Sequence, residues 1–282
     1  MLVQSRYILK NTGFLLSVFF GSIGSYMATW ATQRQLRIFG GLFGVVMLAV
    51  GAFLFSVLYN APSCVDGKLN QKEDGIDCGG PCTTACPANI SPLFTLWSRV
   101  IPAGEGAHDA LAFLENPNAG AGITRISYLF KLFDAENLLV ARGAGATFVN
   151  PNERFYVYEG NIRTGNRVPT RAFLEFEPDP EWQRETASLL PIVVRETLFE
   201  ETETGSQLKA VLSNVSFEEL RGVTVTAVLF DDDENVFAAS ETRIDVFPAE
   251  KTETIFFTWR RKFDEFPARV DVLPRRNIFV AQ

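Results

Sequence analysis

The sequence predicts a mainly β protein: two tandem β-sandwiches behind an N-terminal transmembrane helical anchor of one or two helices. Three observations support this fold class. An apolar run without charge occupies residues 38–59. From residue 93 onward, short runs rich in β-branched and aromatic residues are broken by Pro, Gly, Asn and Asp, as in sheets. Within that region, short motifs recur at a fixed offset, which indicates two copies of one module.

Residues 1–60 form the predicted membrane anchor. Ile38–Tyr59 has no charged residue over 22 positions, and a helix of that length measures about 33 Å, enough to cross a hydrocarbon core. Gly13–Ala31 is also uncharged but is diluted by Ser, Thr and Gly. Three interpretations of it are open: a first spanning helix, an interfacial segment or a signal-peptide core. We disfavour cleavage, because the next span would then carry the cysteines inward.

Charge separates the anchor from the rest of the chain. The first 60 residues contain four basic residues and no acidic one, a net charge of +4. The remaining residues contain all 33 acidic residues and 22 of the 26 basic ones, so 22 − 33 gives −11. The two parts are therefore expected in different solvents. The anchor implies membrane lipid as a partner, and the acidic remainder excludes nucleic acid.

All four cysteines lie within the neck, residues 61–90, at Cys64, Cys78, Cys82 and Cys86. Buried core cysteines are normally scattered, so this clustering indicates a local device. It is either two disulfides in a segment too small for a hydrophobic core, or a four-thiolate metal site. The spacing lacks the C-x2-C pairs typical of structural zinc, which favours disulfides. Three disulfide connectivities remain open.

Four residues of the neck are spaced like oxygen ligands: Asp66, Asn70, Glu73 and Asp77. Such oxygens suit calcium, the one cofactor that the sequence suggests. The alternative is that they form ordinary turns in a solvated loop. The whole stretch, C-x-DG-x2-N-x2-E-x-G-x-DCGG-x-C, resembles a cysteine-rich motif of bacterial and archaeal cell-surface proteins. That resemblance implies a position after an anchor or between modules.

The cysteines also predict the topology. Disulfides need an oxidising compartment, so we expect a cell-membrane protein with residues 61–282 extracytoplasmic. Positive charge does not decide the orientation, because two basic residues precede the first apolar segment and two, Arg34 and Arg37, follow it. If both segments span, residues 33–37 form a cytoplasmic loop. If only the second spans, Arg34 and Arg37 are its cytoplasmic flank.

Eleven strands are predicted after the neck, of which Ile126–Phe133 and Val223–Phe230 alternate most clearly at period two. One helical turn is expected near Asp179–Thr186. The other predicted strands are Ala110–Leu114, Thr147–Asn150, Phe155–Glu159, Arg171–Phe176, Val193–Phe199, Leu208–Leu212, Arg243–Phe247, Thr254–Trp259 and Arg269–Leu273.

An internal repeat determines the predicted domains. Leu-Phe-Asp at 132–134 recurs at 229–231, and Val-x-Pro-x-Glu at 149–153 recurs at 246–250, both 97 residues later. About 90 to 100 residues with roughly seven short strands is the size of one β-sandwich. We therefore place the first sandwich and its linker at 91–190 and the second at 191–282.

These motifs resemble a known family. F-x-L-F-D at Phe130, Leu132 and Asp134, and its second copy ending in Leu229, Phe230 and Asp231, are similar to the F-x-L-Y-D signature of small extracytoplasmic FxLYD domains. The second copy has Ala227 in place of the first Phe. The resemblance implies an immunoglobulin-like sandwich filled by the apolar residues. It also implies that each Asp accepts backbone hydrogen bonds in the following turn, and that the domain is an accessory or binding module.

No catalytic residue is predicted. The chain contains no G-x-S-x-G, no H-E-x-x-H and no phosphate-binding glycine loop. We interpret the single histidine, His108 beside Asp109, as a solvated or capping residue, and the acidic run 231–234 as a solvated turn.

The sequence therefore favours a membrane-anchored structural or interaction protein that presents two sandwiches to protein partners at the cell surface. The alternative is a ligand-binding or accessory subunit of a larger envelope or secretion complex. A third interpretation, an enzyme, requires carboxylates that converge in the cleft between the sandwiches.

Overall fold

The computed structural model describes residues 30–59, 62–177, 180–186 and 190–280. The chain divides into two compact units, residues 1–61 and residues 62–282. Residues 13–29, most of the first predicted membrane segment, lie outside the described residues.

The first unit contributes one helix, α1 (Trp30–Leu58). Its 29 residues measure roughly 44 Å, and none of them is buried. Within the described part of the chain, it is the one helix long and apolar enough to cross a membrane. α1 begins before the predicted span, so residues 33–37 are helical and do not form the predicted loop between two spanning segments. Gln, Leu and Arg in this stretch are good helix formers, and nothing interrupts the helix.

The second unit begins with the neck and continues into the first sandwich. One sheet of this sandwich has the strand order β1-β2-β5 and the other has β4-β3-β6. A short strand, β7 (Gln183–Arg184), pairs with the start of β3. The six main strands are β1 (Phe94–Gly104), β2 (Ala107–Glu115), β3 (Ala121–Phe133), β4 (Leu139–Val149), β5 (Arg154–Arg163) and β6 (Arg171–Glu177).

The second sandwich has the same strand order as the first. Its sheets are β8-β9-β12 and β11-β10-β13, so each strand corresponds to the one seven places earlier in the chain. All the pairings are antiparallel. The strands are β8 (Ile192–Glu201), β9 (Ser206–Asn214), β10 (Leu220–Phe230), β11 (Val236–Phe247), β12 (Thr252–Trp259) and β13 (Arg269–Arg275).

Each predicted strand overlaps an observed one. β1 was not predicted, because a register shift between Thr95 and Trp97 interrupts its alternation. The predicted helical turn near residues 179–186 is wrong in its described part, where β7 lies. β7 is extended because it pairs on one side with β3 and on the other with Thr84 of the neck.

Each sandwich has its own apolar core. Phe130 and Leu132 of β3 are fully buried in the first core, and Leu229 of β10 is fully buried in the second. Phe230 departs from the prediction that the signature residues fill the sandwich. Neighbouring side chains on a strand point to opposite faces, so Phe230 points away from the second core and lies in a third cluster.

That third cluster joins the two sandwiches. Ile101 and Leu111 of the first sandwich pack with Val228 and Phe230 of the second, and all four are buried. We call the two facing sheets, β1-β2-β5 and β11-β10-β13, the inner sheets, and the other two the outer sheets. Burying one such aliphatic or aromatic side chain contributes about 1.5–3 kcal/mol. The second unit is therefore a stack of four sheets.

Hydrogen bonds and an ion pair also join the two sandwiches at the edge of this interface. Arg275 of β13 donates from Nε and Nη2 to the carboxylate of Glu153, at 2.9 Å in each case, and is only 5 % exposed. Beyond β13, the Asn277 amide donates to the carbonyl oxygen of Thr124 at 2.8 Å. The Asn150 amide donates to the carbonyl oxygen of Arg276 at 3.0 Å. The C-terminal segment of the second sandwich thus lies against the first.

Candidate functional site

The structure joins all four cysteines in two disulfides, Cys64–Cys82 and Cys78–Cys86. This pairing is one of the three that the sequence left open. Because Cys78 lies inside the loop closed by Cys64–Cys82 and Cys86 lies outside it, the two bonds interlock the neck. Local backbone pairing places Cys78 against Gly75, with N–H···O distances of 3.2 Å in both directions. The cysteines thus act as structural staples.

Two adjacent glycines allow two segments of the neck backbone to approach each other closely. Gly79 and Gly80 both have positive φ, at 73° and 52°. A Cβ at Gly80 would lie 2.1 Å from the carbonyl oxygen of Lys72, a distance that no side chain tolerates. The DCGG sequence is therefore needed for the chain to pass close to itself between the disulfides.

The four residues predicted as calcium ligands lie in one hydrogen-bonded network. The Asp77 carboxylate accepts from the amides of Asp66 and Gly67 at 2.9 Å each. The Asp66 carboxylate accepts from the Asn70 side-chain amide at 2.8 Å, the main reason why the pKa of Asp66 lies below its ordinary value. Glu73 accepts from the backbone amide of Asn70 at 3.2 Å.

Convergence of these oxygens is only partial. Within the described part of the chain, one group of at least three Cys, His, Asp or Glu residues has ligand atoms all within 4.8 Å of one another: Cys64, Glu73 and Cys82. Its two sulfurs form a disulfide and are not thiolate ligands. The carboxylates of Asp66, Glu73 and Asp77 do not form such a group. Asp77 instead holds the turn at residues 66–67.

The neck is hydrogen-bonded to the first sandwich through β7. The Ala85 amide donates to the Trp182 carbonyl at 3.0 Å, and the Arg184 amide donates to the Thr83 carbonyl at 2.6 Å. The Arg184 guanidinium also donates to the carbonyl oxygen of Gly80. Since β7 pairs with β3 on its other side, the linker between the sandwiches joins the neck to the β4-β3-β6 sheet of the first sandwich.

A cavity of 440 Å³ lies between the two sandwiches. Glu241 of β11 lines this cavity and accepts from the Thr226 hydroxyl at 3.2 Å. Nearby, the Tyr128 hydroxyl donates to Glu159 at 3.0 Å. Other lining residues include Arg125, Phe148, Tyr156, Tyr158, Arg243 and Arg275.

Burial raises the pKa of two carboxyl groups and one hydroxyl group in this cleft. Removal from water raises the pKa of Glu159, although the Tyr128 hydrogen bond opposes the shift. Surrounding protein likewise raises the pKa of Glu241, and the Glu159 charge adds to the effect. Burial also raises the pKa of Tyr128, so this hydroxyl stays a neutral donor at neutral pH. Each carboxylate thus has a neutral hydroxyl as its hydrogen-bond donor.

A second cavity, of 410 Å³, also lies between the two sandwiches and is lined by Asp109. Asp109 accepts from the Asn161 amide at 2.7 Å and from the Tyr158 hydroxyl at 2.9 Å. Burial nevertheless raises its pKa above the ordinary value. His108 is 8 % exposed and lies 2.9 Å from the Thr164 hydroxyl through Nδ1, so the prediction of a solvated histidine is wrong. His108 is buried because both faces of β2 are covered by other parts of the protein.

The two signature aspartates each hold a turn. Asp134 accepts from the Leu138 amide at 2.8 Å, and Asp231 accepts from the Asn235 amide at 2.8 Å. These backbone hydrogen bonds are the main cause of the lowered pKa of both carboxyls. The acidic run 231–234 is therefore an ordered turn, and its Glu234 pairs with Arg269 at 2.8 Å.

Sequence reasoning missed the residues of the interface between the sandwiches. Tyr156 donates to Asp271 of the second sandwich at 2.9 Å, and Arg275 pairs with Glu153. One signal was available. β2 and β10 each contain a short run without polar residues, at 110–114 and 227–230, which is the pattern of strand segments that are covered on both faces.

Comparisons with known proteins add little. No family model matches the sequence, and no curated protein matches it. One of the matching solved structures is titled "The structure of a beta-glucuronidase from glycoside hydrolase family 2". It is 9 % identical, with a TM-score of 0.20, and the match covers 71 % of this chain and 25 % of that one. This chain thus spans a quarter of that structure's length, and a likeness this weak carries no argument.

Proposed function

We propose that this is a cell-membrane protein that presents a rigid pair of immunoglobulin-like sandwiches outside the cytoplasm for contact with other proteins, without a catalytic step. One observation carries the proposal. The neck, β7 and both sandwiches form one continuously packed unit, which follows a membrane-length apolar helix in the chain. A rigid surface loses little conformational entropy when a partner binds, which suits a presenting role.

Two features support the anchored, extracytoplasmic placement. α1 exposes apolar side chains on all sides, including Phe39, Phe43 and Leu48, and lipid is the solvent that suits them. Two disulfides stabilise the neck, and disulfides persist in oxidising compartments. The turns held by Asp134 and Asp231 support the proposed relation to FxLYD domains.

Topology and disulfides are tested together in the native envelope. We expect a C-terminal epitope tag to be cleaved by protease added to intact cells or spheroplasts. We also expect non-reducing peptide mapping to recover the Cys64–Cys82 and Cys78–Cys86 pairs. A tag that is protected until the membrane is permeabilised, together with four free thiols, would overturn both the placement and the role.

The cavity between the sandwiches favours a second candidate function, in which the protein is a ligand-binding or accessory subunit. Its 440 Å³ volume and its lining by Glu241, Arg243 and Tyr128 suit a small polar molecule. Native mass spectrometry after mild detergent extraction separates the two functions. A bound small molecule that is lost in Ala146→Trp, which fills the cavity, supports the second. Co-purifying proteins without any bound small molecule in the wild type support the first.

A further inference from the structure

Two buried oxygen atoms in the neck lack a proton donor. The side-chain oxygen of Asn70 is buried and has no hydrogen-bond partner, the one such side-chain atom among the described residues. Its orientation is set by the other half of the amide, which donates to Asp66 at 2.8 Å. Turning the amide over would place its oxygen against a carboxylate. The oxygen of Asn70 is therefore the atom left unsatisfied.

An oxygen of Glu73, a residue that is only 9 % exposed, has a close neighbour, but that neighbour cannot donate a proton. Its Oε1 lies 3.2 Å from Sγ of Cys82. That sulfur is in a disulfide and has no proton to donate. The other oxygen, Oε2, accepts from the Asn70 amide at 3.2 Å. No ion pair formed by the described residues includes Glu73. A buried carboxylate without a cation is costly, so it indicates a missing positive charge.

Asn70 and Glu73 lie in the same turn, since the Glu73 amide donates to the Asn70 carbonyl at 2.9 Å and the Asn70 amide donates back to the Glu73 side chain. Charge in the neck agrees with a divalent ion. Residues 64–86 contain four acidic and two basic residues, so 2 − 4 gives −2. Both unsatisfied atoms are hard oxygens and the nearby sulfurs are oxidised, which favours calcium over zinc.

We propose that the neck binds one calcium ion through the side chains of Asn70 and Glu73. Asp66 orients the Asn70 amide from the adjoining turn. This site differs from the four-ligand site that the sequence suggests, because Asp77 is used to hold the backbone of residues 66–67. The remaining ligands are backbone carbonyls and water, as in other calcium loops. Calcium bound here would hold the turn at residues 70–73 in place beside the Cys64–Cys82 disulfide.

The test uses the full chain in detergent, stripped of metal with EDTA. Titration with CaCl2 in a calorimeter should give one site with a dissociation constant on the order of 0.1–1 mM, as in extracellular calcium modules. Hydrogen exchange of residues 64–86 should slow when calcium is added. Glu73→Gln should weaken binding about tenfold or more, since ligand charge tunes affinity. ZnCl2 should not slow the exchange.

Two further variants keep the proposal falsifiable if Glu73→Gln fails to fold. Asp74→Asn is the matched control: Asp74 is exposed in the same loop and its carboxylate accepts from the Gly80 amide at 3.0 Å, so the calcium response should persist. Asn70→Asp places a second carboxylate beside Asp66, so calcium should protect this neck more than that of the wild type. An unchanged exchange rate with CaCl2 in the wild type, or equal loss of binding in Asp74→Asn and Glu73→Gln, would overturn the site. An unchanged exchange rate would indicate that a buried water, and not calcium, occupies the site. Equal loss of binding in the two variants would indicate diffuse attraction of calcium to an acidic surface.

Discussion

Arg275 shows how one residue stabilises the contact between the sandwiches. Its guanidinium is bidentate to Glu153, donates to the Phe148 carbonyl at 2.8 Å and lies 4.2 Å from the ring centre of Phe155. A charge buried to this degree is stable only while every donor is used. The buried ion pair therefore fixes how the two sandwiches dock.

We expect Arg275→Met to lower the free energy of unfolding by about 3–5 kcal/mol, because it leaves the mostly buried Glu153 without a cation. Urea unfolding followed by tryptophan fluorescence measures this. Arg243→Met is the control: its pair with Asp245 is exposed and should contribute less than about 1 kcal/mol. Equal losses in the two variants would contradict this role of Arg275.

The buried carboxyl group of Asp109 should make the stability of the protein depend on pH. Burial raises the pKa of this carboxyl in the folded protein above its unfolded value of about 3.9. The stability that it contributes is therefore complete below that unfolded pKa and is lost as the pH rises through the folded one. Asp109→Asn removes the titration.

The free energy of unfolding of Asp109→Asn, relative to wild type, should thus increase between pH 4 and pH 7. Urea unfolding at several pH values measures the difference, and the exposed Asp245→Asn serves as control. A difference that falls with rising pH would show that the hydrogen bonds from Asn161 and Tyr158 outweigh burial.

At the scale of elements, each strand was predictable where its own side chains alternate. Val223–Phe230 lies within β10 as expected, whereas β1 was missed because of its bulge. β7 depends on its neighbours: Gln183 and Arg184 are extended because they bridge the neck and β3. Short elements of this kind follow from tertiary pairing, which local propensity does not encode.

The start of β3 has little space around it, and this can be tested by adding one methyl group. A Cβ at Gly122 would lie 2.3 Å from the Val149 carbonyl oxygen and 2.8 Å from the Phe279 ring. We expect Gly122→Ala to cost about 1–3 kcal/mol in the free energy of unfolding. Gly120→Ala is the matched control, since nothing lies within 4 Å of its Cβ. Similar losses in chemical denaturation would argue against close packing at Gly122.

At the scale of the whole molecule, the stack of sandwiches is directional. The inner sheet of the first sandwich corresponds in strand order to the outer sheet of the second, and the converse also holds. Contacts of this head-to-tail kind can in principle continue without end. The outer faces differ in composition: Lys131 occupies the position of Val228, and Lys209 that of Leu111. Lys131 pairs with Glu175, and burying this ion pair or the Lys209 charge against a further copy is costly, which opposes further stacking.

We therefore expect the triple variant Lys131→Val, Glu175→Leu, Lys209→Leu, which also removes the carboxylate partner of Lys131, to self-associate more than the wild type. Sedimentation velocity of the full chain in detergent, over a concentration series, measures the association. Lys251→Leu, an exposed turn position before β12, is the control for added hydrophobicity. If the variant and the wild type associate equally, the charges on the outer faces do not limit stacking.

The sequence by itself determined the features that depend on near neighbours. These are the apolar helix, the strands other than β1 and β7, the turns that follow Asp134 and Asp231, and the grouping of the cysteines. Each follows from periodicity, turn chemistry or composition within a few residues, so no distant contact is needed to predict it.

Only the tertiary structure decided what depends on residues far apart in the chain. It selected one disulfide pairing of three, placed Phe230 between the sandwiches, buried His108 and left the oxygen of Asn70 without a donor. The physical reason is that strand periodicity specifies which face of a sheet a side chain lies on, but not which residues pack against that face. Those residues are determined by the packing between the sandwiches and the neck.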